Sequence, residues 1–475
     1  MPVAPLQKTA STFILGIDMG TSGIRGAIVE KDDLLNDKIW HTESVSFSTL
    51  ATSHLTSSNY NTASQSPKTW ITLLDILLKK LSQSFDLIKI NHLIMDATSS
   101  TVLLCSPQGN ALTDALMYNH QQATQEAKQI QNAKGFDAKT TAQGASSTLA
   151  KVLFLLKNNL KNNFSSPPII CHQIDFLNHY LCDCLNITDE NNALKLGYNS
   201  NTQQWPNWIT QLLTPLTLPK VVAPGTVLGN ITTQRASQYG FSPTLKIHAG
   251  TTDSIAGFLA SGASQVGDTV ISLGSTLAIK MITPSPLFNT QYGIYSHKLK
   301  NNWLVGGASN SGGAVLLNAY TLPEIEYLMN SLNDLTQNDL KVSNQYYPLN
   351  SMGERFPISD PFFKPKMPPK PKQELILNPT SLTDRAILNA HQTYFLNLIK
   401  GLVYIEDLAY KKLFQKTQQA INNLYCVGGG DKNLLWQQCR TAHFSNAKTF
   451  DFPLPTLKQA HSLDAAYGVT KLINF

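Results

Sequence analysis

Two segments far apart in the chain share one plan: an apolar strand, a Gly-rich turn with hydroxyl side chains, and a second apolar strand. The turn of the first segment spans residues 18–23, and that of the second spans residues 274–276. In such a turn several backbone N–H groups converge on one point, which is the geometry that a phosphate oxygen needs. A single turn of this kind is a weak signal, because Gly-Thr and Gly-Ser turns also form for conformational reasons alone. The pair predicts a duplicated fold with two phosphate-binding hairpins.

The length, motifs and charge of the chain limit its possible domain organisation, nucleotide-binding folds and partners. Its 475 residues are too many for one compact core and predict two sizeable domains. Neither hairpin has the GxxxxGK[ST] spacing of a P-loop or opens a Rossmann GxGxxG helix, so the common nucleotide-binding folds are disfavoured. The formal net charge of +6 is modest, and no Lys/Arg block carries interleaved aromatic residues, so we expect no nucleic-acid partner.

Asp253 stands just before the second hairpin, in a stretch rich in small residues. Residues 250–252 (Gly-Thr-Thr) are typical of a turn and N-cap, and residues 256–260 propagate a helix well, so we expect a helix to begin near Asp253 with its carboxylate pointing into a cleft. An Asp at a helix N-terminus is more often a plain cap than a catalyst. The other motifs of the chain favour the catalytic interpretation.

A third Gly-rich segment lies near the C-terminus, where the apolar run 424–427 leads into three glycines at 428–430. Three consecutive glycines lose much conformational entropy on folding, which indicates that the backbone passes close to something flat or bulky. Asn433 and Trp436 lie about one helical turn apart and share a face suited to lining an adenine pocket. The alternative is a Gly-rich connection with Trp436 in the core. The two hairpins earlier in the chain favour nucleotide binding.

Two segments have the periodicity of amphipathic helices that cover a sheet. Apolar residues recur every three or four positions over residues 70–81 and again over residues 394–413. Gly401, within the second segment, permits close packing of that helix. Both stripes predict core-facing helices.

With these motifs together, the chain resembles the FGGY carbohydrate kinases, which belong to the superfamily of actin and the heat-shock chaperone ATPases. Within that family it is most similar to the pentulose kinases of cyanobacteria and plants, which are often labelled xylulose-kinase-like but resemble D-ribulose kinases. The resemblance covers almost the whole length. The stretches that carry it are GIDMGTSG (16–23), NNALKLGY (191–198), AGTTDSIAGFLASGA (249–263), SLGST (272–276), YSHKL (295–299), GGASNSGGA (306–314), YYPL (346–349), GERFPISDP (353–361) and WQQ (436–438).

The resemblance implies two actin-like (ribonuclease H-like) α/β domains with an active-site cleft between them. The N-terminal FGGY domain, with the sugar site and the catalytic base, would comprise residues 1–260 and about 452–475, and the nucleotide-binding domain would comprise residues 261–451. The implied reaction is ATP-dependent phosphorylation of a terminal hydroxyl of a pentulose, with D-ribulose to D-ribulose 5-phosphate as the first choice. D-Xylulose or another polyol is the alternative substrate. An actin-like ATP-binding module for regulation or assembly, without sugar kinase activity, is the alternative of another class.

The resemblance also implies roles for individual residues. Asp253 would be the general base that takes the proton from the attacking sugar hydroxyl, and it would contact the sugar. Asp18 would help to hold Mg²⁺ and also contact the sugar, which Ser99 would bind as well. The implied ATP-binding residues, of which the first two would contact the transferred phosphate, are Thr21, Ser22, Gly274, Ser275, Thr276, Gly429, Gly430, Asn433 and Trp436.

Three positions depart from the family pattern. Ala97 replaces a Gly near Ser99, and a turn that needs a positive φ at this position would be strained by Ala. Asp431 brings a carboxylate into the Gly-rich loop, where a small neutral residue is more usual. Phe154 stands where Trp is common in the signature around Lys151, so we expect Lys151 to be structural or peripheral.

The six cysteines show no CxxC pair and no regular spacing, which is typical of reduced thiols in a cytosolic protein. Residues 1–12 lack a basic start followed by a long apolar stretch, so we expect neither a signal peptide nor a membrane span. The expected location is the cytoplasm, and the expected partners are a small-molecule sugar and ATP. The sequence leaves the oligomeric state open.

Overall fold

The computed structural model describes residues 11–31, 37–52, 63–159, 166–332, 335–445 and 455–473. The strands are β1 (Thr12–Met19), β2 (Gly23–Lys31), β3 (Asp37–Ser46), β4 (Ser64–Gln65), β5 (Ile90–Ala97), β6 (Val102–Cys105), β7 (Ala115–Leu116), β8 (Ile169–His172), β9 (Ile187–Asp189), β10 (Lys220–Val222), β11 (Val227–Asn230), β12 (Lys246–Thr252), β13 (Thr269–Leu273), β14 (Leu277–Thr283), β15 (Tyr295–Leu299), β16 (Asn302–Ala308), β17 (Asn423–Val427) and β18 (Thr456–Gln459). The helices are α1 (Pro67–Ser84), α2 (Thr124–Gln131), α3 (Thr148–Asn159), α4 (Gln173–Cys182), α5 (Glu190–Ala193), α6 (Asn207–Leu213), α7 (Thr233–Tyr239), α8 (Asp253–Ala260), α9 (Gly313–Ala319), α10 (Leu322–Asn330), α11 (Leu382–Thr417), α12 (Leu434–Phe444) and α13 (Ala465–Val469).

The chain divides into two compact units. The first unit comprises Met1–Ala260 and Asp464–Phe475, and the second comprises Ser261–Leu463. The predicted return to the first domain near residue 452 lies outside the described residues, and the described residues 455–463 belong to the second unit. In the first unit, α13 packs directly on β1 and α8. The two contacts are so close that only glycine fits: a Cβ on Gly16 would overlap the Ala466 carbonyl, and a Cβ on Gly468 would overlap the Ala256 carbonyl. The first close approach fixes the C-terminal helix to the N-terminal strand, and the second fixes it to α8.

The main sheet of the first unit has six described strands in the order β11-β12-β5-β1-β2-β3. β1 pairs antiparallel with β2 and parallel with β5, and β12 continues the sheet parallel to β5. The predicted amphipathic helix is confirmed as α1, which has Pro67 at its start and buries Trp70, Leu74 and Leu81. These side chains join the apolar cluster that the sheet contributes.

The main sheet of the second unit has the described order β15-β16-β14-β13-β17-β18. β13 pairs antiparallel with β14 and parallel with β17, and β18 continues the sheet parallel to β17. This pattern repeats that of β1, β2, β5 and β12, which confirms the predicted duplication.

The second amphipathic prediction is confirmed within α11, which is longer than the pattern indicated. Its buried residues run from His391 to Leu413 and pack in the core of the second unit. The extra turns at its start carry mostly exposed side chains and begin with a capping box, in which Ser381 and Asp384 satisfy each other's backbone N–H groups. An apolar stripe could not reveal turns that bury so little.

Candidate active site

Three aspartates lie where neighbouring parallel strands of the first unit end. β12, β5 and β1 are adjacent and parallel, so their carboxyl ends meet at one edge of the sheet. Asp18 is next to last in β1 and pairs with Asp96, which is next to last in β5. Asp253 follows β12 as the first residue of α8. The topology therefore brings together two predicted site residues and a third that the sequence reasoning missed.

Asp18 is almost wholly buried, with 4% of its surface exposed. Its Oδ2 accepts a hydrogen bond from Nη1 of Arg25 at 3.3 Å, across the first hairpin. Burial raises the pKa of Asp18 to about 6; Asp253 also raises this pKa, whereas a hydrogen bond with Asp96 and the charge of Arg25 lower it. The surroundings of Asp18 therefore stabilise its ionised form only in part, and a cation at this edge would favour that form further.

Asp96 is the residue that the sequence reasoning passed over. It is completely buried, and no N–H or O–H of another described residue reaches either of its carboxyl oxygens. Burial raises the pKa of Asp96 well above its ordinary value, and the neighbouring Asp18 carboxylate raises it further. Burial and this neighbouring charge both favour the protonated form of Asp96. The signal in the sequence was an apolar strand ending in Asp and small polar residues, as in β1.

The helix begins at Asp253 as predicted, but the residues before it do not form a turn. Residues 250–252 continue β12, with a bulge in its pairing to β5 between His248 and Thr251. Gly250 packs against the backbone of β5 so tightly that a Cβ would overlap the Met95 carbonyl. The glycine and threonines that were interpreted as a turn are therefore a buried strand end.

The Asp253 carboxylate is half-buried, unlike its two fully enclosed neighbours. Its Oδ1 accepts a hydrogen bond from the N–H of Ser254 at 2.6 Å. Its charge raises the pKa of both Asp18 and Asp96, which shows that the three carboxyl groups interact. Among them, Asp253 is the most exposed.

Ser99 lies in the loop between β5 and β6 and is partly exposed. No other described residue hydrogen-bonds its side chain, so its hydroxyl is available to a ligand. The concern about strain at Ala97 was wrong, because Ala97 is the last residue of β5 and does not have a positive φ. The positive φ of this loop, 69°, is at Ser100, whose hydroxyl lies 3.0 Å from that of Thr148.

Lys151 supports this loop from inside the unit. It is fully buried on α3, and its Nζ donates hydrogen bonds to the carbonyl oxygens of Ser100 and Met117, the latter at 3.0 Å. Burial lowers the pKa of Lys151 to about 7. The residue is structural, as expected, but it is not peripheral, because it holds the backbone next to Ser99.

The first hairpin has the predicted form. β1 and β2 are joined by residues 20–22, and the N–H of Gly20 donates to the carbonyl of Gly23 at 2.9 Å. Thr21 and Ser22 are exposed at the tip. The residues whose hydroxyl groups were predicted to contact a phosphate are therefore exposed, three and four positions after the buried Asp18.

The second hairpin also has the predicted form, and a neighbouring loop buttresses it. Residues 274–276 join β13 to β14, and Ser275 is exposed. The N–H of Gly313 donates to the carbonyl of Gly274 at 2.8 Å, and a Cβ on Gly312 would come within 2.6 Å of the Ser275 carbonyl oxygen. The sequence reasoning gave this loop, residues 309–313, no role, although its paired glycines at 312–313 were a signal of close approach.

The Gly-rich segment 428–430 reaches the same edge of the second sheet as this hairpin. β17 runs parallel to β13, so the two strands end side by side. Gly428 has a φ of 97°, and a Cβ there would lie 2.9 Å from the carbonyl oxygen of Leu273. The close approach that the glycines predicted is confirmed, and the nearest neighbour is the end of β13.

The position of Trp436 corrects the sequence interpretation. Its side chain is wholly buried in the core of the second unit, so it does not line a pocket. It lies beneath Gly430, where a Cβ would approach its ring to 2.7 Å, and Asn433 caps α12 by accepting a hydrogen bond from the Trp436 N–H at 3.0 Å. The unexpected Asp431 carboxylate accepts a hydrogen bond from the Gln437 amide.

The described residues contain no group of three or more His, Cys, Asp or Glu side chains arranged to hold a metal ion. In the same part of the chain no helix is long and apolar enough to cross a membrane.

Comparison with known proteins identifies the family to which the chain belongs. Residues 13–260 match the N-terminal domain of the FGGY family of carbohydrate kinases. The xylulose kinase of Staphylococcus xylosus is 21% identical over 457 residues, which are 92% of this chain and 87% of that protein. Among solved structures, a gluconate kinase of Lactobacillus acidophilus has a TM-score of 0.74 at 18% identity, over 98% of this chain and 89% of its own.

A ligand-bound xylulose kinase of Lactobacillus acidophilus has the same TM-score of 0.74 at 18% identity, and the match covers 97% of this chain and 88% of that one. These structures confirm the predicted fold class of actin-like α/β domains. The family match spans more than half of the 475 residues and includes Asp18, Asp96 and Asp253. The chain therefore belongs to the FGGY family of carbohydrate kinases and is itself a carbohydrate kinase.

Proposed function

We propose that the protein transfers the γ-phosphate of ATP to a terminal hydroxyl of a pentulose. The observation that carries this proposal is the half-buried Asp253 carboxylate beside the enclosed Asp18 and Asp96, at the carboxyl ends of three adjacent parallel strands. In this assignment the first unit holds the sugar and the general base, and the second unit holds the nucleotide.

Asp253 is the proposed general base. Its carboxylate accepts the proton of the sugar hydroxyl while that oxygen forms a bond to the γ-phosphorus and the bond from this phosphorus to ADP breaks. The N–H of Ser254 donates to Oδ1 of Asp253 at 2.6 Å and so orients the group. Burial favours the neutral, protonated form of Asp96, which leaves one negative charge fewer beside the base than two ionised neighbours would.

Asp18 is the proposed ligand of Mg²⁺. Burial and the neighbouring Asp253 raise its pKa to about 6, so a cation there would favour the ionised carboxylate. Mg²⁺ prefers oxygen ligands, keeps several waters and is often held by one or two carboxylates together with substrate phosphates, so one Asp18 carboxylate with water and phosphate oxygens would suffice to hold it. When bound, the ion supplies positive charge to the phosphates.

The nucleotide is assigned to the second unit through backbone groups. Gly274, Ser275 and Thr276 are proposed to contact the phosphates at the tip of the second hairpin. Gly429, Gly430 and Asn433 are proposed to contact adenosine, with Trp436 as the floor beneath them. Thr21 and Ser22 of the first hairpin are proposed to contact the phosphoryl group that is transferred.

Two pentuloses have support as the sugar. The sequence motifs resemble those of D-ribulose kinases, whereas the relative described above is named for xylulose. The fold does not decide between sugars, because a gluconate kinase and a xylulose kinase match it with equal TM-scores. The proposed sugar contacts are Ser99, Asp18 and Asp253. D-Ribulose and D-xylulose are both uncharged, so the charges of these residues do not select one over the other.

The test is ADP release with Mg-ATP and, in parallel, D-xylulose, D-ribulose, L-ribulose, gluconate and glycerol. Turnover on a pentulose that is lost in Asp253→Asn supports the proposal and names the sugar. Turnover on gluconate or glycerol alone refutes the pentulose assignment. ATP hydrolysis that is independent of every sugar would contradict the proposed reaction.

A further inference from the structure

One buried carboxylate ties two segments of the second unit together. Glu354 is 3% exposed and lies in the GERFP stretch, to which no role has been assigned. Its two oxygens accept hydrogen bonds from the Ser309 hydroxyl at 2.6 Å, the Asn310 N–H at 2.7 Å and the Tyr347 hydroxyl at 2.8 Å. Because these donors satisfy the charge, Glu354 anchors its segment rigidly to the loop that follows β16.

The next residue, Arg355, projects outward from this anchor. Its Nε donates to Oδ1 of Asn310 at 2.6 Å, and its Nη2 donates to the Ser309 carbonyl at 3.2 Å. Its side chain is exposed, and no carboxylate forms an ion pair with it in the part of the chain that the structure describes. A guanidinium that is held in place by neutral oxygens, with donors left over, is preorganised to bind an anion.

The loop that positions Arg355 is the one that packs on the second hairpin. The N–H of Ser309 donates to the carbonyl of Leu277 at 2.8 Å, and the N–H of Leu277 donates to the Ser311 carbonyl at 2.7 Å. Leu277 directly follows the turn residue Thr276. Nη2 of Arg355 therefore contacts the carbonyl of Ser309, and the N–H of the same residue is hydrogen-bonded to Leu277, the first residue after the hairpin turn.

We propose that Arg355 binds the phosphate chain of the nucleotide, together with the turn at residues 274–276. The inference rests on the proposed use of ATP. A bidentate guanidinium supplies the positive charge that the turn, built from Gly, Ser and Thr, does not contain. Asn310 is the positioning residue, because it fixes the Nε end of the guanidinium and leaves the Nη groups toward the ligand.

The experiment is calorimetric titration of the full chain, without sugar, using ADP and adenosine in separate arms. We expect Arg355→Gln to bind ADP about 10- to 100-fold more weakly than the wild type, with unchanged affinity for adenosine. Arg385→Gln is the matched control, because Arg385 is an exposed arginine on α11 of the same unit. Its ADP affinity should equal that of the wild type.

Two further variants separate a specific contact from a general loss of charge. Arg355→Lys keeps the charge but not the fork, so we expect an intermediate loss of ADP affinity. Asn310→Ala should weaken ADP binding without changing the net charge, while adenosine binding stays unchanged. Thermal melting of each variant checks that the fold is retained.

Unchanged ADP affinity in a folded Arg355→Gln protein would overturn the inference. So would a wild type that binds ADP no more tightly than adenosine, because no phosphate contact would then exist. Selective loss of ADP binding in a protein that phosphorylates no pentulose would support the Arg355 site and reject the proposed sugar. The two proposals can therefore fail independently.

Discussion

The two sheets of the molecule have the same topology but opposite chemistry at their carboxyl edges. In the first unit, the ends of β1, β5 and β12 carry Asp18, Asp96 and Asp253. In the second unit, the equivalent strands β13, β17 and β18 end without a carboxylate at the matching positions, and the first two lead into residues 274–276 and 428–430. One edge collects titratable side chains, and the other exposes backbone.

This difference is the basis of the proposal that each half of a duplicated scaffold handles its own substrate. Parallel strands bring their ends to one edge whatever residues they carry, so the fold supplies proximity and the local sequence supplies the chemistry. Carboxylates suit proton transfer and cation binding, whereas glycines allow backbone N–H groups to approach phosphates. The proposed assignment of sugar chemistry to one unit and nucleotide binding to the other is drawn from this contrast.

The largest expected effect tests the carboxylate edge. Asp253→Asn should lower kcat by about 10²- to 10⁴-fold, because the amide cannot accept the sugar proton, while the dissociation constant for the sugar changes little. The measurement is ADP release together with equilibrium titration of the sugar. Asp114→Asn, at an exposed position of the same unit, is the control and should retain wild-type turnover. A variant with equal losses in binding and turnover would indicate that Asp253 holds the sugar without acting as its base.

The second prediction concerns a buried carboxylate that is fully compensated. Glu406 in the second unit is completely buried, and it accepts hydrogen bonds from Nε and Nη2 of Arg440, both at 2.9 Å, and from the Tyr410 hydroxyl at 2.6 Å. Arg440→Met removes the cation and leaves an unpaired buried charge, so we expect the free energy of unfolding to fall by about 3–5 kcal/mol. Denaturant unfolding measures this change. A loss below about 1 kcal/mol would show that Arg440 does little to compensate the buried Glu406 carboxylate.

Asp18 should behave in the opposite way, because its charge is costly to the fold. Asp18→Asn should abolish activity yet increase the free energy of unfolding at pH 8 by about 1–3 kcal/mol. The pKa of Asp18 is raised to about 6 by burial, so the wild type loses stability as the pH rises from about 4 to 6, and the variant does not.

Thermal melting of both proteins at pH 4 and pH 8, without nucleotide or Mg²⁺, measures the difference. The gain in the variant should be present at pH 8 and nearly absent at pH 4. A destabilised variant at pH 8 would mean that the Arg25 pair outweighs burial, and the contrast with Glu406 would then disappear.

Much of this contrast could be predicted from the sequence, because it depends on local patterns. Apolar runs interrupted by Gly, Thr and Ser gave both hairpins, and the small-residue stretch after Asp253 gave the start of α8. These features are set within about ten residues. The repeat of the two hairpins also indicated the duplicated sheets, because like segments fold alike.

The remaining features depend on contacts between distant segments. Asp96 gains its role only because β5 lies between β1 and β12, an order that no local pattern specifies. Trp436 was assigned to a pocket because helical spacing gives a shared face but does not say which face is buried. The turn predicted at residues 250–252 is a strand, because pairing with β5 outweighs the local preference of Gly and Thr.

The smallest expected effect separates two adjacent glycines at the other edge. A Cβ on Gly430 would meet the Trp436 ring at 2.7 Å and the Leu273 Cβ at 2.9 Å, whereas a Cβ on Gly429 would meet nothing within 4 Å. Gly430→Ala should therefore lower the free energy of unfolding by about 1–2 kcal/mol, and Gly429→Ala should leave it within about 0.5 kcal/mol of the wild type. Denaturant unfolding measures both.

Nucleotide titration then tests the ligand side of the comparison: Gly429→Ala should weaken ADP and adenosine binding alike, because the new methyl group occupies the space where backbone is proposed to contact adenosine. If Gly429→Ala keeps full affinity for both ligands, the open side of this glycine does not face the nucleotide, and the backbone edge of the second unit would be limited to the hairpin at residues 274–276.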